Sequence, residues 1–307
     1  MKPANISLVL SSGGARGLVH IGAIQALEEA GFRITAIAGT SMGSLVAGMY
    51  ACGSLDDYRT FMTGLTRLDV IRLMDLAVSK TGIIKGEKVF SEMKRFIGNT
   101  RIEDLPIPFA AVAADIHNHT EVVFREGDLL TAIRASSAIP SVLTPVTKDG
   151  ALLVDGGVVN PLPMEHVAVP KGNLLVAVNV NAPHKVKTKP AKKETTPEET
   201  NEAAAESVIE KAKHLINKKW NSMTSGDPER TPVSGIFTIV HNSFELMQHK
   251  LTLNALEKQT PDILLNIPVN AADTFDFYRA KELITLGYKE MKAELARSEK
   301  QRRLKQA

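Results

Sequence analysis

Ile6-Ser7-Leu8-Val9-Leu10-Ser11-Ser12-Gly13-Gly14-Ala15-Arg16-Gly17 and, further along, Ile34-Thr35-Ala36-Ile37-Ala38-Gly39-Thr40-Ser41-Met42-Gly43 share one layout. Each is an apolar run that ends in a glycine-rich turn and continues into a helical pattern. After the first turn apolar residues recur at Leu18, Ile21, Ile24 and Leu27, a helical period that Gly31 would cap. After the second, Leu45, Val46, Met49 and Tyr50 do the same up to Gly53. The order is βαβα, so the two strands are expected to lie parallel. Right-handed crossovers between neighbouring strands then open both turns on the same edge of the sheet. A serine on such a turn is exposed at the carboxyl end of the strands, where open α/β folds place their chemistry.

Outward from this unit the pattern continues. Helices are expected over Leu55 to Leu76, Glu87 to Ile97 and Asp128 to Ser136, and strands over Phe109 to Ala114, Glu121 to Phe124, Ala151 to Val154 and Leu174 to Val180. Pro140 and Pro145 mark an irregular connection. Lys185 to Glu199 is a Lys, Thr, Pro and Glu stretch without apolar period, read as a mobile insertion, and Ala203 to Trp220 as a helix beyond it. After a polar break at Asn221 to Thr231, a long helical pattern runs through Ile236, Phe244 and Leu256, followed by a strand at Ile263 to Val269 and a helix at Phe275 to Leu295. The organisation expected is a catalytic core over 1–183, a polar insertion with a helix over 184–231, and a 232–307 segment that completes the same domain.

The chain has 307 residues, 44% of them hydrophobic, enough for a sizeable buried core. No apolar stretch approaches the ~18 residues of a spanning helix. The run after Met1-Lys2-Pro3-Ala4-Asn5 is too short for a secretory signal, so a cytoplasmic location is expected. The single cysteine, Cys52, cannot form an internal disulfide and suggests no metal site. The formal net charge of +3 conceals basic clusters at Lys185 to Lys193 and at Lys289 to Lys305. With Glu290, Glu294 and Glu299 interspersed, the second reads as a solvated helix end, with an anionic membrane surface as the alternative contact. No aromatic-rich basic face accompanies either cluster, which disfavours nucleic acid.

Ser41 sits where a nucleophile elbow would put it, because glycines on both sides permit strained dihedrals and close approach of neighbouring chains. A hydroxyl at neutral pH needs a base. Of the eight histidines, His20 and His166 lie closest in sequence to the glycine turns, though a packed or surface role is the commoner one for each. Asp155 is the stronger candidate. It ends a strand and is followed by Gly156 and Gly157, which would let another loop approach its carboxylate. An aspartate serves as base only if burial raises its affinity for the proton and Ser41 lies within hydrogen-bond reach. The N–H groups of Gly13, Gly14 and Ala15, opening onto a helix, form a nest for developing negative charge. A dinucleotide site is disfavoured, since Ser12 stands at the first glycine of that pattern and Ile34 to Ala38 lacks the acidic residue. No Gly-Lys-Ser/Thr is present, which excludes a nucleotide P-loop. Phe61, Leu65, Leu68, Ile71, Leu73 and Met74 read first as core and second as an acyl cleft or lid.

Taken together, Gly13 to Gly17 with Ile21-Gly22, Gly39 to Gly43, Ala135-Ser136-Ser137-Ala138-Ile139-Pro140 and Asp155-Gly156-Gly157 resemble the patatin-like phospholipases, in particular their single-domain bacterial members. The order and separation of these blocks match across Ser7 to Val180, and Ile263 to Gly287 looks like the family's terminal strand and helix. The resemblance implies a three-layer α/β/α fold with a mainly parallel central sheet. It further implies a lipid acyl hydrolase in which Ser41 attacks the ester carbonyl of a phospholipid or lysophospholipid and Asp155 takes the proton. Gly13, Gly14, Ala15 and Arg16 fall on the family's oxyanion-hole loop, with Gly17, Gly39, Gly43, Gly156 and Gly157 supporting the turns. No metal or organic cofactor is implied. A non-hydrolytic lipid-binding protein and an acyltransferase share these features and stand as alternatives. Two departures are visible: Ser12 occupies a position usually held by glycine, and the Lys185 to Glu199 insertion lies outside the common pattern.

Overall fold

The computed structural model describes residues 4–74, 86–140, 142–183 and 234–306. The insertion expected at 184–231, the helix expected at Ala203 to Trp220, and His184 and His214 lie outside the described residues. β1 (Asn5–Leu10) and β2 (Arg33–Thr40) pair in parallel, as the βαβα order requires. The described strands form one eight-stranded sheet that adds β3 (Phe109–Asp115), β4 (Thr120–Phe124), β5 (Val146–Lys148), β6 (Ala151–Asp155), β7 (Leu174–Ala182) and β8 (Ile263–Pro268). Their order is β5-β6-β3-β2-β1-β7-β8, with β4 also on β3. The pairs β1–β2, β2–β3, β1–β7 and β7–β8 are parallel, whereas β3–β4, β3–β6 and β5–β6 are antiparallel.

The central strands are continuous apolar runs because both faces of the sheet are covered. On one face Ile6, Leu8 and Leu10 pack against α1 (Val19–Glu29) and α2 (Met42–Ala51), in a core that also takes in the closing helix α8 (Ala280–Gln306). On the other, Val9, Ala36 and Ala38 meet Leu162, Met164 and the end of α7 (Ser234–Lys258). The arrangement is the expected three-layer α/β/α stack. α1 and α8 cross at their backbones: a Cβ on Gly22 would collide with the Ile284 carbonyl, and one on Gly287 with the Val19 carbonyl. The remaining helices are α3 (Leu55–Gly64), α4 (Arg67–Leu73), α5 (Glu87–Ile97) and α6 (Leu129–Ser136).

Three elements differ from the sequence-based expectation by more than two residues. The helix expected over Leu55 to Leu76 is broken between α3 and α4. There Thr66 Oγ1 accepts from the Asp69 N–H while Thr66 N–H donates to Asp69 Oδ2, a capping box that restarts the helix after extended Leu65. β5, absent from the expectation, is paired with β6 across Asp149 and Gly150, both at positive φ. That Asp-Gly pair is the common two-residue hairpin signal. The final helix starts later and runs longer than Phe275 to Leu295. Within it Arg297 lies 3.2 Å from Glu294 and 3.9 Å from Glu290.

Candidate active site

The register of β3 brings the site together. β4 occupies one edge of β3 from Ala111 to Asp115, so β2 and β6 must share the other. β2 arrives in parallel and ends with Thr40 beside Val112; β6 arrives antiparallel and ends with Asp155 beside Ala113. The two strands therefore meet end to end along β3, and the residues at their tips face each other. Ser41 Oγ donates to Asp155 Oδ2 at 2.5 Å. The approach needs Gly156, where any side chain would strike the Val112 carbonyl.

Ser41 holds φ 55° and ψ −125°, a left-handed conformation that a serine adopts only when its surroundings enforce it. They do so on both sides. Its N–H donates to Ser136 Oγ at 2.9 Å, and its carbonyl accepts from the Ser44 N–H, the Ser44 hydroxyl and the Leu45 N–H at 2.9, 2.7 and 3.1 Å. Gly43 presses against the Leu10 and Ser11 carbonyls, so the two glycine turns are neighbours in space. α2 starts directly after Ser41, and its amino end favours negative charge on the hydroxyl oxygen. The serine is not solvent-exposed as the turn alone suggested; it is 4% accessible and forms part of a cavity wall.

Asp155 is 1% accessible. Burial pushes its carboxyl up to about 6, against the hydrogen bonds from Ser41 and from the Gly157 N–H at 2.7 Å, which favour the ionised form. Its own N–H donates to the Ala138 carbonyl at 2.8 Å. The block Ala135 to Pro140 thus holds both partners, Ser41 through the Ser136 hydroxyl and Asp155 through the Ala138 carbonyl. In the sequence this block counted only as part of the family resemblance, with no role for Ser136 or Ala138.

The glycine loop closes the site. Gly13 (φ 157°) and Gly14 (φ 54°) turn the chain, and Gly14 lies in the same cavity wall as Ser41. Among the described residues the N–H groups of Gly13 and Gly14 make no hydrogen bond, whereas the Ala15 N–H donates to the Thr274 carbonyl at 2.9 Å. That bond from Ala15 anchors the loop to the segment that carries Thr274. Arg16 points inward, 3% accessible, to Glu245 (3.0 Å), Asn181 Oδ1 (3.2 Å) and the Ala272 carbonyl (3.2 Å). Ser12 fits where glycine is usual because its N–H bonds the Pro161 carbonyl and its hydroxyl and carbonyl both accept from Asn181 Nδ2. Gly17 sits against Met42, and Gly39 against Gly43.

The cavity holds about 990 Å³, counting its open mouth, and its lining is almost wholly apolar. Phe61, Leu65, Leu73 and Met74 contribute to it, as the cleft reading of that stretch expects. Leu68 is instead exposed, and Ile71 is not among the lining residues. The two sequence-nominated histidines are engaged elsewhere. His20 is fully buried with Nε2 at 2.9 Å from the Ser11 carbonyl, and burial lowers it to about 4. His166 Nε2 meets Glu121 Oε1 at 2.9 Å beside a separate pocket. Among the described residues the group Glu121, Glu165 and His166 has metal-ligand types in reach, but the two carboxylates are exposed, and Asn160 Nδ2 donates to both.

A serine on a strained strand-to-helix turn, bonded to a buried aspartate beside a glycine nest, defines a serine-centred α/β protein. The chain matches the family model described as patatin-like phospholipase over residues 8–168. It is 33% identical to an uncharacterized NTE family protein of Mycobacterium bovis over 92% of this chain and 89% of that one. It is also 28% identical to lysophospholipase NTE1 of Saccharomyces cerevisiae over 92% of this chain, a stretch that makes up 16% of the yeast protein. The chain belongs to the patatin-like phospholipase family, whose members are lipid acyl hydrolases. A crystal structure of VipD from Legionella pneumophila is similar at TM-score 0.45 and 13% identity, covering 97% of this chain and 67% of that one. Among the described residues no helix is long and apolar enough to cross a membrane.

Proposed function

We propose that this protein hydrolyses a fatty-acyl ester of a phospholipid or lysophospholipid through a Ser41–Asp155 dyad. The observation that carries the reading is the 2.5 Å hydrogen bond from Ser41 Oγ to Asp155 Oδ2 at the wall of an apolar cavity. The acyl chain occupies the cavity, with its carbonyl carbon at Ser41 and its carbonyl oxygen towards the Gly13 and Gly14 N–H groups. Ser41 Oγ attacks as its proton passes to Asp155, and the tetrahedral oxyanion is held by the two N–H groups. Collapse breaks the ester C–O bond, and Asp155 returns the proton to the departing alcohol oxygen. Water then attacks the acyl-enzyme, giving its proton to Asp155. The second collapse frees the fatty acid, and the proton on Asp155 returns to Ser41 Oγ. A carboxyl near 6 suits both duties, being ionised at neutral pH yet basic enough to hold a proton in passing.

The test is fatty acid release across a panel of diacyl- and monoacyl-phospholipids of varied head group, with Ser41→Ala and Asp155→Asn alongside. Release that is lost by at least ~10³-fold in both variants is expected. Release at wild-type rate in either variant removes that residue from the mechanism. Binding of the lipids without release favours the non-hydrolytic alternative.

A further inference from the structure

Two side chains of α7 reach the two halves of the site from behind. Glu245 Oε1 lies 3.0 Å from Arg16 Nη2, and Arg16 is two residues from Gly14 in the oxyanion loop. Gln248 lies against Gly157 so closely that a Cβ there would strike its amide nitrogen, and Gly157 N–H is the donor to Asp155 Oδ1. Glu245 and Gln248 stand three residues apart, hence on one face of the helix. α7 lies wholly beyond residues 8–168, the part of the chain that the family model matches.

We propose that α7 is a clamp in which Glu245 and Gln248 are positioning residues, fixing the oxyanion loop and the Asp155 turn relative to each other. The inference rests on the Ser41–Asp155 reading. Neither residue touches the reacting atoms: Glu245 acts through Arg16 and Gln248 through Gly157. The Arg16 guanidinium is buried, and burial works against its charge, with Glu245 the main group opposing that penalty. Without this carboxylate the Asn181 and Ala272 oxygens and the weaker field of Asp273 remain to it among the described residues, and the loop gains by turning the cation towards water. Gly13 and Gly14, on the same short turn, move with it. Gln248 is 5% accessible and fills the space behind Gly157. Its truncation leaves a void into which the turn relaxes, which lengthens the Gly157-to-Asp155 hydrogen bond.

The two halves of the clamp leave different signatures. Loosening the oxyanion loop lowers kcat with little change in KM or in the acidic limb of the pH profile. Weakening a hydrogen bond to ionised Asp155 raises its proton affinity and moves that limb to higher pH.

The experiment uses the full chain with Glu245→Ala, Glu245→Gln, Gln248→Ala and Ser41→Ala. It follows turnover of one fatty-acyl ester against pH and the rate of fluorophosphonate labelling at Ser41. Glu245→Ala is expected to lose roughly 10- to 100-fold in kcat and in labelling rate, as small misplacements of catalytic groups do, with KM held within about 3-fold. Glu245→Gln, which keeps an acceptor for Arg16, recovers part of that loss. Gln248→Ala moves the acidic limb upward. Wild-type labelling, kcat and limb position in both alanine variants, with labelling abolished in Ser41→Ala, overturn the clamp and leave the serine reading standing. Labelling that persists in Ser41→Ala overturns both.

Discussion

Replacing Asp155 by Asn should abolish turnover and yet make the protein more stable. The carboxyl is fully buried, and burial moves it from an ordinary 3.8 to about 6. Holding it ionised at pH 8 therefore costs the folded state about 3 kcal/mol relative to a carboxyl in the unfolded chain. The sign follows from proton counting. Because the folded form binds its proton more tightly, this penalty is small below the unfolded value, grows as pH rises through the window from about 4 to about 6, and is constant above it. Asparagine is close in shape to the neutral acid: its Oδ1 can accept from Gly157 and its Nδ2 can donate to Ser41 Oγ, preserving the geometry at no cost in charge. Urea unfolding of both proteins at pH 8 should show Asp155→Asn more stable by roughly 2–3 kcal/mol, and at pH 4 by well under about 1 kcal/mol. Comparing variant with wild type at each pH cancels the titration of all other carboxylates. No gain at pH 8, or the same gain at both pH values, would refute the reasoning that burial is what makes Asp155 a base.

The same shift fixes the direction of the activity profile. With Asp155 required in its ionised form, kcat/KM should fall as pH drops through about 6, and a limb centred near the ordinary carboxyl value would contradict this. Ser136→Ala removes the hydroxyl that holds the Ser41 N–H, leaving that buried donor unpaired at a strained residue. It should cost roughly 1–3 kcal/mol in a chemical melt and at least ~10-fold in turnover; unchanged values would place the elbow's restraint elsewhere. Leu65→Trp narrows the apolar cavity, so kcat/KM for a long-chain ester should drop at least ~10-fold while that for a butyryl ester stays within about 3-fold. Equal losses on both esters would show that the cavity does not hold the chain.

Much of the fold was legible because its elements are local. Parallel strands covered on both faces appear as unbroken apolar runs, and β1, β2, β3 and β7 read that way. The elbow was legible because Gly39 and Gly43 flank Ser41 at the two places where backbone must pass close by. The capping box at Thr66 and Asp69 and the Asp149-Gly150 turn were equally local signals, masked by the stronger apolar period of Leu55 to Leu76 and by the two prolines. What spacing could not show depends on tertiary register. Ser41 and Asp155 are 114 residues apart and meet only because β2 and β6 arrive from opposite directions on one edge of β3. The same holds for the nest: that the Ala15 N–H is taken by Thr274, and that Arg16 faces Asn181 and Glu245 rather than the cavity, are contacts between distant segments. Histidines near the motifs drew attention by position alone, and packing assigned His20 to the Ser11 carbonyl.

The most direct measurement is mass spectrometry of the peptide carrying Ser41 after reaction with a fluorophosphonate. Adduct on Ser41 is expected, forming faster above pH 6 than below it and disappearing in Ser41→Ala. A protein that releases fatty acid while Ser41 stays unmodified, or that carries the adduct on another residue, would contradict the dyad.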